Sequence, residues 1–308
     1  MARMGIRRNE RRIPAGLYGL GRPGAASPVF VTGNYRLSFD ALRKALDSRD
    51  CYILVLETKG INVWCAAGGG LFCTEELIRK IGETKLGEAV SHRKLILPQL
   101  SATGVAAHDV KEKSGFRVQY GPVRAEDIPA FLKEGKATPE MRRVRFGMRD
   151  RLVVVPVELV RISLPLLIAA VILYPIGGLV LSMGVVSAVL GGVLLFPALL
   201  PWLPTPNFST KGFFLGFGIA VPFVVYRLAQ VSGIGQWQRI GWSLVFLSVL
   251  PALTAFFALQ FTGSTVFTSV SGVRREIFRY FPRMAWMFGG GVVCLLFVFI
   301  VRWTGVLG

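Results

Sequence analysis

Beyond residue 151 this sequence has almost no negative charge. Of its 18 Asp and Glu residues only Glu158 and Glu276 lie there, and neither of its two histidines does. A segment so poor in charge cannot hydrate itself as a water-facing surface, and it lacks the buried Asp, Glu and His groups that mark proton-coupled transport. With only His92 and His108 in the whole chain, a histidine-rich metal site is excluded. The four cysteines, Cys51, Cys65, Cys73 and Cys294, form no CxxC, which argues against a zinc ribbon or a cysteine-ligated iron-sulfur cluster. In the cytoplasmic setting argued below, disulfides are not expected either. The sequence contains no GxxxxGK[ST], no GxGxxG after a strand, no HExxH and no GxSxG, so the common nucleotide and hydrolase fingerprints are absent.

What is present divides into two materials. Residues 1–151 hold 27 of the 36 Lys and Arg and 16 acids, and the remainder holds 9 and 2. The second half is expected to be a membrane domain, because a helix needs about 20 apolar residues to cross about 30 Å of hydrocarbon. Five such runs are expected at 157–176, 179–200, 213–228, 240–261 and 282–301, the first two forming a tight hairpin at Gly177-Gly178 that could equally be a re-entrant pair. Polar breaks fall at 201–207, 227–239 and 262–283, and Trp202, Trp237, Trp242, Trp286 and Trp303 fall near run ends, as interfacial aromatics do. Lys211, Arg274, Arg275, Arg279 and Arg283 share a side with the arginines of 142–151, against Arg227, Arg239 and Arg302 on the other. The positive-inside rule therefore predicts a multi-pass protein of the cytoplasmic (inner) membrane with its N-terminal domain in the cytoplasm. The opening MARMGIRRNERRIPAG has charge without an apolar core, so it reads as a basic, disordered or membrane-skimming arm rather than a secretory signal.

In the first half, short apolar runs alternate with amphipathic ones, the pattern of an α/β domain. Strands are expected at 28–32, 52–57, 94–98 and 117–120. Helices are expected at 38–47 with Ser38 as N-cap, 74–81 opened by Thr74-Glu75-Glu76, 105–114 and 128–134. The loops Thr32-Gly33-Asn34, Thr58-Lys59-Gly60, Gln99 to Gly104 and Gly121-Pro122 follow the strands and would gather at the carboxyl edge of a parallel sheet, where ligands bind. The resulting division is a basic arm (1–27), the α/β domain (28–138), a basic linker (139–156) and the membrane domain (157–308). The linker interleaves arginine with Met141, Val144, Phe146, Met148 and Leu152, and reads either as a solvated connector or as a helix on anionic lipid. Its spread charge carries no nucleic-acid reading motif, so no nucleic-acid partner is expected. His108-Asp109 reads as solvent-facing or packed.

One constellation stands out: GINVWCAAGGG at 60–70. Asn62 can cap a short helix that begins at Val63, which places Cys65 in the first turn, where free N–H groups and the helix dipole favour a thiolate. Small residues from Ala66 to Gly70 leave room for a large flat ligand. From the residues alone, Cys65 reads either so or as a small buried hydrophobe.

NVWCAAG resembles the cap-helix signature of the mercury-methylating corrinoid proteins, whose head is related to the corrinoid domain of the corrinoid iron-sulfur protein large subunit and of the CO dehydrogenase/acetyl-CoA synthase delta subunit. VTGNYRLSFDAL, ILVLETKGINVWCAAG, HRKLILPQL, GVAAH, GFRVQYGPVRAEDIP and ATPEMRRVRF look like blocks of that family, as do TPNFSTKGFFLG and FTGSTVFTSVSGVRRE in the second half.

The resemblance implies a Rossmann-like corrinoid-binding domain with a cap helix, followed by about five transmembrane helices. It implies a cobalamin or related corrinoid held by Thr32, Gly33, Asn34, Asn62, Val63, Trp64, Cys65, Ala66, Ala67, Gly68, Gln99 and Gly104, with Cys65 as the catalytic residue and lower axial ligand to cobalt. A thiolate donates more strongly than imidazole and would help a methyl group leave towards a soft cation such as Hg(II). The DxHxxG signature of histidine-ligating cobalamin domains is missing. The implied function is a corrinoid-dependent methyltransferase forming methylmercury. The implied partners are a ferredoxin-like protein with two [4Fe-4S] clusters, a methylated folate or its methyltransferase as donor, and membrane lipid. Two positions depart from the family pattern: Gly69 stands where the family has Lys, and Cys73 where it tends to have Gly. A methyl carrier with a non-mercury acceptor is the alternative, and a transporter or membrane sensor whose head takes a phosphate-bearing ligand is the reading from another class.

Overall fold

The computed structural model describes residues 12–230, 235–265 and 270–304. The chain divides into two compact units, 1–145 and 146–308.

The first unit is a five-stranded sheet: β1 (Gly16–Leu20), β2 (Val29–Gly33), β3 (Cys51–Leu56), β4 (Lys94–Leu97) and β5 (Arg117–Tyr120), in the order β1-β3-β2-β4-β5. β2 pairs in parallel with β3 and β4, and β4 with β5, while β1 runs antiparallel to β3 at the edge. Strand residues alternate between two cores. Val29, Val31, Leu54, Leu56, Leu95 and Leu97 join one buried cluster, and Phe30, Ile53, Val55 and Ile96 join the other. A parallel sheet buried on both faces therefore reads as a continuous apolar run. One face is covered from α2 (Val63–Gly68), α3 (Thr74–Glu83), the single turn α4 (Leu86–Ala89) and α5 (Ala107–Ser114), which supply Ala66, Leu77, Leu86 and Val110. The other is covered from α1 (Arg36–Ala45) and α6 (Ile128–Glu134), with Leu42, Ile128 and Phe131.

Two features differ from the expectation. Residues 16–20 of the expected arm form β1, registered from Gly16 opposite Val55 to Leu20 opposite Cys51; residues 1–11 lie outside the described part. The first helix starts at Arg36, so Ser38 is inside its first turn and is not the cap. The linker holds a short helix, α7 (Pro139–Arg142), capped by Thr138, whose hydroxyl accepts from Met141 N at 3.4 Å.

The second unit is all helical: α8 (Met148–Leu152), α9 (Val155–Leu190), α10 (Phe196–Leu199), α11 (Phe208–Ala229), α12 (Gln236–Gln260) and α13 (Val270–Thr304). Four helical stretches, Met148–Leu199, Phe208–Ala229, Gln236–Gly263 and Ser271–Val301, are long and apolar enough to cross a membrane. The first doubles back. Gly178 has φ +69°, and Ser182 Oγ donates to Ala170 O at 2.8 Å, although 12 residues of straight helix would put them about 18 Å apart. The expected hairpin is thus present, with its turn at Gly177-Gly178. A Cβ on Gly177 would lie 2.6 Å from both Leu181 and Trp242, so only glycine fits. Arg227, buried near the end of α11, donates to Gly177 O at 3.0 Å and stacks over Trp242 with 4.7 Å to the ring centroid. Trp242 is accordingly buried rather than at a rim, whereas Trp202, Trp237 and Trp286 are exposed.

The polar stretch expected to break the chain at 262–283 is helical from Val270, carrying Arg274, Arg275, Arg279 and Arg283 as the first turns of α13. Residues 266–269 of the block FTGSTVFTSVSGVRRE lie outside the described part, as do the side chains of Arg302 and Trp303. The end of that block meets the TPNFSTKGFFLG block through Glu276, whose Oε1 accepts from Ser209 N at 2.5 Å, and one turn further along α13 Tyr280 OH accepts from Asn207 Nδ2 at 3.0 Å.

Candidate functional site at the carboxyl edge of the sheet

Strand order reverses between β2 and β4, since the chain leaves β2 for β3 on one side and returns to β4 on the other. At such a point the loops after the two strands diverge and leave a crevice at the carboxyl edge. α2 packs against β2 and the turn Gln99–Ser101, so it lies over this crevice.

The β3–α2 loop is held by Asn34. Its side chain is 1% exposed, and both amide atoms are engaged. Nδ2 donates to Glu57 Oε1 at 2.8 Å, and Oδ1 accepts from Thr58 N at 3.1 Å and Gly60 N at 2.8 Å. The Thr58 hydroxyl, fully buried, lies 2.9 Å from Asn34 Oδ1 and 2.8 Å from Ile61 O, bridging the loop to the start of α2. Gly33 is glycine because a Cβ there would sit 2.8 Å from Thr58 Oγ1. Gly60 takes φ +71°, a left-handed conformation that favours glycine.

α2 begins as its sequence indicates. Asn62 is extended, and its Oδ1 accepts from Cys65 N at 2.9 Å, satisfying one of the N–H groups that a helix start leaves free. Helical periodicity then sends Val63, Ala66 and Ala67 into the core and leaves Cys65 and Gly68 exposed, with Trp64 half-buried. Gly104 lets the loop after β4 approach the backbone of α2 and the turn that follows it: a Cβ on Gly104 would overlap Phe72 O and come within 3.1 Å of Ala67 Cα. Gly69-Gly70 stop the helix: Leu71 N donates to Ala66 O at 2.8 Å and Gly70 N to Ala67 O at 3.4 Å, with Gly70 at φ +74°. This is the Schellman arrangement, in which a left-handed residue closes the last turn. Gly69 is the C-cap, not an interior helix residue. Beside the helix, Gly68 and Gly70 face open space, where an added Cβ would have no atom within 4 Å.

Of the sequence-picked residues, Thr32 and Gly33 end β2 and Asn34 follows it, Asn62, Trp64, Cys65 and Gly68 belong to the cap and outer side of α2, and Gln99 and Gly104 to the loop after β4, whereas Val63, Ala66 and Ala67 are turned into the core and not towards the crevice. Thr32 is buried in the strand, and Asn34 faces the loop it clamps. Gln99 Oε1 is buried and has no hydrogen-bond partner. Sequence reasoning missed three supports. Thr58 carries the loop, Thr74 Oγ1 accepts from Ala106 N at 2.9 Å, and Tyr120 OH donates to Val105 O at 2.6 Å. Each is a polar residue beside a strand or helix end, and only its distant partner reveals its role.

The head cysteines differ in environment. Burial pushes the Cys51 thiol up to about 11. Burial also raises Cys73, at the start of α3, partly offset by the backbone N–H of Glu76. Cys65 alone among them is exposed.

Among the described residues no group of three or more His, Cys, Asp or Glu is placed to hold a metal ion, so any metal here must bring most of its own ligands. A corrinoid would, and the chain would then supply room for a large flat ring, polar contacts to its side chains and a donor atom to the metal. The exposed Cys65, the open flank at Gly68 and the unpartnered Gln99 Oε1 fit that requirement.

Residues 8–132 match the family model CdhD, the CO dehydrogenase/acetyl-CoA synthase delta subunit. The gamma subunit of the acetyl-CoA decarbonylase/synthase complex of Methanopyrus kandleri is 35% identical over 131 residues, covering 42% of this chain and 28% of that protein. The corresponding subunits of Archaeoglobus fulgidus and Methanocaldococcus jannaschii are each 32% identical, over 129 and 128 residues, covering 41% of this chain and 27% and 26% of theirs. The chain spans little more than a quarter of the length of these relatives, and the helical unit lies outside the residues that the family model matches. Over most of its α/β unit, then, this protein is similar to the CO dehydrogenase/acetyl-CoA synthase delta and gamma subunits, a family with corrinoid-protein relatives.

Proposed function

We propose that the α/β unit binds a cobalt corrinoid at the β2/β4 crevice, with Cys65 as lower axial ligand, and that the protein is a membrane-held methyltransferase that passes a methyl group to Hg(II). The observation that carries the reading is the exposed Cys65 fixed in the first turn of a capped helix directly over the point where strand order reverses.

A corrinoid when bound supplies a cobalt ion able to carry a methyl group and release it to an acceptor. The residues of the chain set the conditions. Asn62 holds the first turn of α2, so the Cys65 sulfur is presented at a fixed place. Asn34 and Thr58 lock the loop that carries Asn62. Gly68 leaves the flank of α2 clear, and Gln99 Oε1 offers an acceptor to an amide side chain of the ring. Binding, orientation and electron donation by a thiolate are thus the protein's tasks; reducing equivalents come from a ferredoxin-like partner with two [4Fe-4S] clusters and the methyl group from a methylated folate or its methyltransferase.

The helical unit is read as five spans: the two arms of α9–α10, then α11, α12 and α13. Counted along the sequence with five spans, the arginines of 142–151 and those of 274–283 fall in loops of the same side, which by the positive-inside rule favours a cytoplasmic head. A non-mercury acceptor is the second reading, favoured by Gly69 and Cys73 at the two positions where the mercury-methylating pattern differs.

Reconstituting the purified full chain with cobalamin tests the first step: corrin absorption bands should co-elute with the protein, and Cys65→Ala should change the spectrum of the oxidised cofactor while leaving it bound. No corrin bands overturns the reading, and a spectrum unmoved by Cys65→Ala overturns the ligand assignment. Cells given this gene and that of the two-cluster partner should form methylmercury; corrin binding without methylmercury selects the second reading.

A further inference from the structure

The edge of the sheet opposite the crevice carries a feature that corrinoid chemistry does not use. Two hollows adjoin there and share Lys94 and Gln119. One, of about 270 Å³, is lined by Ile96, Phe131 and His92 among others; the second, open and about 710 Å³, is lined by Arg93, Lys111 and Arg117. Neither is lined by an Asp or a Glu.

The charge arrangement needs an explanation. Lys94 and Arg117 are register partners in the β4–β5 pair, both exposed, and like charges at directly opposed strand positions repel. Arg93 is locked in place: its guanidinium donates to Val90 O at 3.0 Å, His92 O at 3.1 Å and Gly87 O at 3.3 Å, and it stacks on Phe116 at 5.3 Å. Its charge is therefore fixed at the rim. The carboxyl end of α5 contributes about half a negative charge nearby, which four cations exceed.

The smaller hollow has the complementary character. Phe131 and Ile96 give it apolar walls. Gln119 Nε2 donates to Gly135 O at 2.9 Å, leaving Gln119 Oε1 buried without a partner. His92 Nδ1 lies 3.2 Å from Lys94 N and its Nε2 2.9 Å from Ser27 O, so the ring is held as part of the wall. An acceptor at the wall of an apolar hollow beside a cluster of cations fits a flat group with an amino donor joined to a phosphate.

We propose that this amino edge is a nucleotide site, with phosphates over Lys94, Arg117, Arg93 and Lys111 and an amino-bearing base in the hollow against Phe131, its amine donating to Gln119 Oε1. The site lies on the opposite edge of the sheet from Cys65, so a nucleotide there would act as a regulator or a second ligand of the head.

The test is equilibrium dialysis of the full chain, in detergent and loaded with cobalamin, against ATP, adenosine and inorganic tripolyphosphate. ATP should bind saturably, weaken as salt rises, and weaken about tenfold or more in Lys94→Ala and in Gln119→Met. The corrin spectrum of each variant, read in the same sample, reports that the head is folded. Saturable ATP binding lost in both variants supports the site. No saturable ATP binding in the millimolar range, binding indifferent to Lys94, or tripolyphosphate binding as tightly as ATP and indifferent to Gln119 each overturns it. Because the corrin spectrum is read independently, failure here is distinguishable from failure of the corrinoid reading.

Discussion

Asn34 Oδ1 and the backbone N–H of Gly60 are 2.8 Å apart across 26 residues, and this contact joins the end of β2 to the loop that launches the Cys65 helix. Removing it strands the buried N–H groups of Thr58 and Gly60, each costing about 1–3 kcal/mol. Asn34→Ala should therefore lower stability by several kcal/mol and weaken corrinoid retention, read by denaturant midpoint and corrin absorbance. Asn34→Asp should also fail, since it loses the donor to Glu57 and sets two carboxylates side by side. Wild-type retention in both variants would show that the clamp is dispensable.

Asn62 has a narrower role. Asn62→Ala removes the cap on Cys65 N and should cost about 0.5–2 kcal/mol. Asn62→Asp and Asn62→Ser keep an acceptor and should retain most of it. Corrinoid affinity is expected to follow the same order, and an affinity equal across the three would separate the cap from the site.

Positions 69 and 70 should behave differently although both are glycine. Gly70→Ala forces a Cβ into φ +74° and should cost about 1 kcal/mol, loosening the closure of α2. Gly69 has φ −93° and an added Cβ would meet Cys65 O at 3.1 Å, so Gly69→Lys and Gly69→Gln should fold with small adjustment. If a positive charge near the Cys65 sulfur promotes methyl transfer, Lys alone should raise activity; equal gains from Gln would assign the effect to the stiffer turn.

The three head cysteines should react in sequence. At pH 8 in the native protein, an alkylating reagent should label Cys65 first, because it is exposed, and Cys73 more slowly, because burial keeps its thiol protonated. Cys51, fully buried and with its pKa near 11, should react only on unfolding. Prompt labelling of Cys51, followed by mass spectrometry of peptides, would contradict the packing of β3 against β1. Bound corrinoid should protect Cys65 selectively.

In the helical unit, Gly177→Ala should disrupt the hairpin, because its Cβ would sit 2.6 Å from Leu181 and from Trp242. Arg227→Met should loosen the same turn by removing the hydrogen bond to Gly177 O, whereas Arg227→Lys should restore part of it. Yield of monodisperse protein and protease resistance measure both. A fully stable Gly177→Ala protein would mean that the turn is not held as described.

Much of this architecture is legible in local pattern. Four of the strands and the helices 74–83, 107–114 and 128–134 follow from runs whose period or composition suits their burial, and Asn62 announced its helix by being an Asn before an apolar turn. What local pattern obscured has a common cause. Gly16 to Leu20 looks like the end of a basic arm because its strand character depends on pairing with β3, 35 residues away. Ala66 to Gly70 looks like space for a ligand, but Ala66 and Ala67 are buried in the core and Gly70 ends the helix. Trp242 looks interfacial until Arg227 is placed on its ring.

The sequence by itself therefore determined the two materials of the chain, the α/β alternation of the first unit, the hairpin glycines and the capped turn bearing Cys65, because hydropathy period, caps and glycine act within a few residues. Tertiary structure alone decided which polar atoms are engaged and which remain open: Asn34 is consumed as a clamp, Gln99 and Gln119 keep a free acceptor, and Lys94 lies beside Arg117. A hydrogen bond between residues 26 or 67 positions apart leaves no trace in either neighbourhood, and only the folded chain brings its partners within 3 Å.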